Sequence, residues 1–201
     1  NYTYDAATKT HWPNIEKGIL QEVQRVKSPL FIATSRSSNE PVVQTAVASL
    51  VAHRDLPIIC ENGAVLFFPK TRECLILATD EQKKQVDEGR RNINQINFKP
   101  RDRELIIKSN RVATIEMRMQ HNSGVGDPTL YGELCRLITE RFDVTNLDLV
   151  SSNNSMSIQP KGVNKGRAFL QALSIVGLNR NELFVVGLGD APNDKEIFEQ
   201  A

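Results

Sequence analysis

The turn Gly189-Asp190-Ala191-Pro192-Asn193-Asp194 gathers two carboxylates and a side-chain amide within a few residues of one another. It follows the apolar run Leu183–Leu188, whose composition predicts a buried strand. Open α/β sheets bind their ligands outside the carboxyl ends of such strands. Hard oxygen donors grouped there are the kind Mg²⁺ prefers, which makes Asp190, Asn193 and Asp194 candidate metal ligands. Gly189 lets the backbone come close, and Pro192 starts the following turn. Asp and Asn also begin helices for hydrogen-bonding reasons alone, but a cap needs one acid and this turn has two. Gly187-Leu-Gly189 lacks the third glycine of a dinucleotide fingerprint and is only a weak sign of a nucleotide-binding oxidoreductase.

Two further groups have chemistry to offer. Gly162-Val-Asn-Lys165-Gly166 opens a helical pattern, so the Lys165 ammonium adds to the positive potential of a helix N-terminus and can hold a phosphate. Alone it reads more readily as a solvated lysine after a glycine turn. Phe31-Ile-Ala-Thr34-Ser35-Arg36 ends an apolar run in hydroxyls, and turn amides with hydroxyls can cradle a phosphate. A polar strand-to-helix loop needs the same residues. Arg36 and Asn62 flank the expected crevice and are the candidate substrate contacts.

The elements that must position these groups alternate. Ile15, Ile19, Val23 and Val26 fall at helical spacing, with Pro13 suited to the first turn; Asn1–Thr10 shows no strand pattern. A strand is predicted within Pro29–Ala33, then a helix capped by Asn39 with Pro41 in its first turn. Leu56–Cys60 reads as a strand, Asn62-Gly63 as a turn, and Val65–Phe68 with Cys74–Ala78 as a hairpin. The alternation predicts an α/β fold, a parallel sheet with helices on its faces. Between Thr79 and Asn154 the pattern changes to a helix over 80–97, a strand over 112–119, an amphipathic helix over 128–142 and two short strands. The expected organisation is a core made of residues 1–78 and 155–201, interrupted by an α+β domain at 79–154. After it come a helix over 165–176 and the strand over 183–188.

Composition narrows the class. The 201 residues bear a net charge of +1, against the clustered positive charge that nucleic-acid or membrane-surface binding needs. Cys60, Cys74 and Cys135 are odd in number and widely spaced, which fits neither a zinc cluster nor a disulfide framework and points to a reducing, cytoplasmic setting. No apolar stretch approaches the ~18 residues of a membrane helix. Oligomeric state is not legible.

Taken in order, strand-Thr34, Lys165-Gly166 opening a helix, and strand-Gly189-Asp190-x-x-Asn193-Asp194 resemble the second, third and fourth motifs of the haloacid dehalogenase superfamily. The insertion between the second and third motifs, with the turn Glu61-Asn62-Gly63-Ala64, is similar to its Cof-type branch, which includes sucrose-phosphate and mannosyl-3-phosphoglycerate phosphatases. The resemblance implies a Rossmann-like core with an inserted α+β cap that chooses the substrate. It implies Mg²⁺-dependent hydrolysis of a small phosphorylated metabolite, a sugar phosphate being the first expectation. By matching position, Thr34 and Ser35 would hold the phosphoryl group, Lys165 would neutralise it, and Asp190 would ligate Mg²⁺ with Asn193 and Asp194 beside it. Thr34, Lys165 and Asp190 are thus the expected catalytic residues.

One motif of that family is missing. Its first motif, a strand ending Asp-x-Asp, occurs nowhere in the 201 residues. Asn1–Thr10 looks like the loop that follows the first motif, and Ala201 comes directly after the fourth. The expectation is a piece of a longer protein, inactive by itself, whose nucleophile is absent from this chain. Two alternatives stay open: a non-catalytic relative that binds a phosphorylated ligand or regulates a partner, and a sugar phosphomutase.

Overall fold

Short β-branched runs separated by Gly, Asn and Asp set up strands that need partners for their backbone groups. In the computed structural model these runs form two sheets beside an N-terminal hairpin. The structure describes residues 2–5, 10–13, 25, 27–51, 54–93, 104–120, 128–151, 155–189 and 192–201. The chain divides into two units, Asn1–Leu77 with Asn164–Ala201, and Ala78–Val163. No helix is long and apolar enough to cross a membrane, among the described residues.

In the first unit, β1 (Tyr2–Asp5) and β2 (Thr10–Pro13) pair antiparallel. This corrects the expectation of a patternless start and of Pro13 in a first helical turn: Pro13 ends a strand, opposite Tyr2. Residues 14–24, where the first helix was expected, lie outside the described residues. The central sheet has the order β3-β4-β5-β6, with β3 (Ile32–Ala33), β4 (Ile58–Cys60), β5 (Val65–Phe68) and β6 (Glu73–Ile76). Only β3 and β4 run parallel; β4-β5 and β5-β6 are antiparallel hairpin pairs, so this sheet is mixed.

The helix after β3 starts at Pro41, is π-helical over Val43–Val47 and continues as α1 (Ala48–Val51). The Thr45 hydroxyl donates to the Pro41 carbonyl at 2.7 Å, which draws that carbonyl from the regular ladder. At the start of this helix the Glu40 carbonyl receives the first bonds, from the amides of Val43 and Gln44. Val43, Val47 and Val51 are buried.

The core of this unit joins Ile59 and Leu66 of the sheet to Ala168, Phe169, Ala172 and Leu173 of α4 (Lys165–Ile175). Each buried Ile, Leu or Phe among these contributes about 1.5–3 kcal/mol. Phe31 meets Phe169 edge-on with ring centroids 5.3 Å apart. The chain closes with α5 (Lys195–Phe198).

The segment Leu183–Leu188 departs from its expected strand. Among the described residues it has no ladder partner. It keeps the period-2 alternation of a strand, with Leu183 and Val185 packed against the core while Phe184, Val186 and Leu188 are 96%, 70% and 89% exposed. Sequence pattern sets which side chains face inward; a strand also requires a neighbouring edge to bond.

The second unit is a four-stranded antiparallel sheet, β7 (Glu104–Lys108), β8 (Ile115–Gln120), β10 (Met156–Pro160) and β9 (Leu147–Ser151) in that spatial order. Strand β7 was not expected from sequence. β10 bonds to β8 on one side and β9 on the other, so this sheet extends to Pro160. Helices α2 (Asp80–Ile93) and α3 (Pro128–Arg141) pack on it around Ile115, Met117, Tyr131, Leu134, Ile138 and Met156. Thr79 and Gln82 form a capping box at the start of α2, with reciprocal bonds of 3.0 and 3.2 Å. The chain as a whole is α/β: a helix-flanked mixed sheet with a parallel pair, β3-β4, at one end of its strand order, and an inserted β-sheet unit.

Candidate functional site

Lys165 is the first residue of α4, and Asn164 before it is the N-cap, its side-chain oxygen accepting the Arg167 amide at 2.8 Å. This cap sets where the helix begins and therefore where the lysine leaves the backbone. Lys165 is buried, only 5% exposed. Its ammonium donates to Asp194 Oδ1 at 2.6 Å. A solvated lysine is thereby ruled out for this position: a charge this deep needs a charged, hydrogen-bonded partner.

Asp194 ends the 3₁₀ turn Pro192–Asp194 and stands at the N-cap of α5, yet makes no side-chain cap bond. Its carboxylate turns away from the helix end and takes the lysine. Gly189 is what allows this, since a Cβ there would lie 2.6 Å from Asp194 Cβ and 2.9 Å from Oδ2. Beside it, Asn193 Nδ2 donates to Asn62 Oδ1 at 3.0 Å.

Thr34 follows β3 directly, and its amide donates to the Ile59 carbonyl at 2.8 Å, extending the parallel pairing by one residue. The Thr34 hydroxyl oxygen accepts the Arg36 amide at 3.1 Å, which leaves the hydroxyl proton for an acceptor such as a phosphoryl oxygen. Ser35 is exposed. The Arg36 guanidinium lies 2.7 Å from the Glu40 carboxylate, so a ligand would compete with that ion pair.

Of the expected site residues, Lys165 with Asp194 and Asn193 with Asn62 are in direct contact. Thr34 is tied to Asn62 through the backbone, the Asn62 amide donating to the Thr34 carbonyl at 3.2 Å. Asp190 lies outside the described residues. Among the described residues no three His, Cys, Asp or Glu side chains lie together as a metal cluster. The donors at the turn are nonetheless oxygens, Asp194 and Asn193, the chemistry that suits Mg²⁺ and not a soft metal.

A groove of about 490 Å³ runs beside these residues, lined by Phe31, Ala33 and Ile59 on one side and by Leu183–Leu188 on the other, with Asp194 at its wall. Glu61 is the residue that sequence reasoning missed. It is 1% exposed next to Asn62, and its position was legible only as part of an Asn-Gly turn.

Residues 125–201 match the family model of the haloacid dehalogenase-like hydrolases. No curated protein matches the chain significantly. Among solved structures, the trehalose-6-phosphate phosphatase C-terminal domain of C. albicans superposes with a TM-score of 0.60 at 16% identity, over 98% of this chain and 68% of that one. The sucrose-phosphatase of Synechocystis, solved with sucrose and phosphate, gives 0.59 at 17% identity, over 90% and 71%. A haloacid dehalogenase-like hydrolase of B. subtilis gives 0.55 at 15% identity, over 92% and 79%. The chain thus shares its fold with these solved structures, and over residues 125–201 its sequence is similar to the haloacid dehalogenase-like hydrolases.

Proposed function

We propose that the chain serves Mg²⁺-dependent hydrolysis of a small phosphate monoester, a phosphorylated sugar, by way of an aspartyl-phosphate. The observation that carries this reading is the buried Lys165–Asp194 pair, 2.6 Å long, in the turn that also presents Asn193. A buried ammonium beside oxygen donors can offset phosphate charge without the screening of bulk water. Relatives in fold are named for trehalose 6-phosphate and for sucrose phosphate, which makes those esters the first to try.

In this reading Asp190, Asn193 and Asp194 would hold Mg²⁺, which would supply a Lewis acid for the phosphoryl oxygens. Lys165 faces the same oxygens, while the Thr34 hydroxyl donates to one of them with Ser35 beside it. Arg36 and Asn62 stand next to the substrate. A carboxylate oxygen attacks phosphorus, the P–O bond to the sugar breaks, and the sugar oxygen leaves taking a proton from solvent, which the attacking water of the next step returns. Water then attacks the acyl phosphate, returning the free carboxylate and inorganic phosphate. The nucleophilic carboxylate is not among these 201 residues, since no Asp-x-Asp occurs in them.

That absence favours a second reading, in which the chain binds a phosphorylated ligand without turning it over. Both readings call for phosphate at Lys165. Calorimetric titration with inorganic phosphate in the presence of Mg²⁺ should show binding that Lys165→Met abolishes; equal binding by the variant removes Lys165 from the site. Trehalose 6-phosphate and sucrose 6-phosphate should yield no phosphate with the chain alone. Mg²⁺-dependent release that Asp190→Ala abolishes would show that the chain's own residues suffice, and formation of a phosphate isomer in place of free phosphate would mark a mutase.

A further inference from the structure

Glu61, Asn62 and Gly63 are consecutive and all have positive φ, at 50°, 56° and 102°. Glutamate rarely adopts this region, and such strain of roughly 1–3 kcal/mol per residue persists only where the surroundings over-determine it. The turn is also buried, with Glu61 1% and Asn62 9% exposed. Joining β4 to β5 does not by itself demand this, because short antiparallel connections have less costly conformations.

The contacts of the turn show what holds it. The Glu61 amide donates to the Arg36 carbonyl at 2.9 Å and the Asn62 amide to the Thr34 carbonyl at 3.2 Å. Gly63 lies against the peptide that opens α4: a Cβ there would overlap the Asn164 carbonyl and sit 2.9 Å from the Lys165 nitrogen. Asn62 Oδ1 accepts Asn193 Nδ2 at 3.0 Å. One three-residue turn thus touches the hydroxyl loop, the lysine helix and the acidic turn, which come from distant parts of the chain.

We propose that Asn62 is a positioning residue. Its left-handed backbone aims the N–H at Thr34 and the side-chain oxygen at Asn193, so that the Asn193-Asp194 turn is held in register with Thr34 and Lys165. The importance of this register for chemistry rests on the function proposed above; the brace itself is a statement about geometry and stands or falls separately. This role is additional to the substrate contact expected from sequence and uses the amide oxygen.

Two variants of the full chain separate backbone from side chain. Asn62→Gly keeps the left-handed conformation and deletes the amide. Asn62→Asp keeps an acceptor at the same reach. In Asn62→Gly, backbone amides of residues 193–198 should exchange about tenfold faster, the effect of losing one hydrogen bond. Exchange in β9 and β10 should not change. The side-chain ammonium signal of Lys165 in ¹⁵N-labelled protein, sharp while Asp194 holds it, should broaden away. Asn62→Asp should restore both, and Asn193→Ala, which deletes the donor from the other side, should reproduce the loss. The proposal is overturned if the turn stays protected and the Lys165 signal sharp in Asn62→Gly or Asn193→Ala. Faster exchange spread evenly over the whole chain, or no recovery in Asn62→Asp, overturns it equally.

Discussion

Lys165 and Asp194 form a buried ion pair across 29 residues of sequence, with 6% and 10% of their side-chain surfaces exposed. The lysine opens one helix and the aspartate precedes another, so the pair also fixes α4 against α5. Sequence alone supports the expectation that replacing Lys165 acts on turnover far more than on folding. Burial changes that expectation.

Removing one member leaves the other charged and without its partner in a site that water hardly reaches. Lys165→Met and Asp194→Leu should each lower unfolding free energy by about 3–5 kcal/mol. The double variant should lose clearly less than the sum, because no orphan charge remains. Urea denaturation of the four proteins in the cycle measures the coupling; additive losses would mean that the pair is not made in solution.

Two glycines should respond to alanine with opposite signs. Gly63 has a φ of 102° and its Cβ would overlap the Asn164 carbonyl, so Gly63→Ala should destabilise by roughly 2–3 kcal/mol. Gly132 lies within α3 with nothing near a Cβ, and Gly132→Ala should stabilise by about 0.5–1 kcal/mol. Thermal unfolding midpoints of both variants check the pair of signs.

Glu116 in the second unit is 2% exposed and accepts two guanidinium groups, that of Arg111 and that of Arg118 at 2.7 Å. Glu116→Ala takes the carboxylate from the equally buried Arg111 guanidinium and should cost about 3–5 kcal/mol. Arg118 is 47% exposed on its side chain, and Arg118→Ala should cost under about 1 kcal/mol. Chemical denaturation distinguishes them; similar losses would refute the ranking.

The thiols should differ in reactivity in the order of their exposure. Cys74 is exposed, Cys135 half-buried and Cys60 fully buried. Burial pushes the Cys135 thiol above its ordinary range by disfavouring the thiolate. The unfolded chain therefore ionises first as pH rises. The stabilisation is whole below the ordinary thiol value of about 8.5 and is lost as pH climbs from there through the folded value. Stopped-flow thiol labelling at pH 8 should modify Cys74 first, Cys135 slowly and Cys60 only on unfolding; early labelling of Cys135 would refute its burial.

Sequence alone located α2, α3 and α4, with α3 read from its amphipathic spacing, because a helix positions its own apolar face through local bonds at i and i+4. The short runs Val65–Phe68 and Cys74–Ala78 after the Asn62-Gly63 turn likewise revealed the β5-β6 hairpin, whereas the split of Leu183–Leu188 into inward and exposed side chains was not foreseen. The motif residues Thr34, Lys165, Asn193 and Asp194 were legible as types in order along the chain. Tertiary structure decided everything that depends on a distant partner. It placed the Lys165 ammonium on Asp194, turned Asn62 toward Asn193 and ran β4 antiparallel to β5. It left Leu183–Leu188 without a ladder despite its strand-like sequence. Helix periodicity is satisfied within a segment, but hydrogen-bonded strands, buried charges and left-handed turns owe their stability to groups many residues away, and no local pattern records where those groups will come to lie.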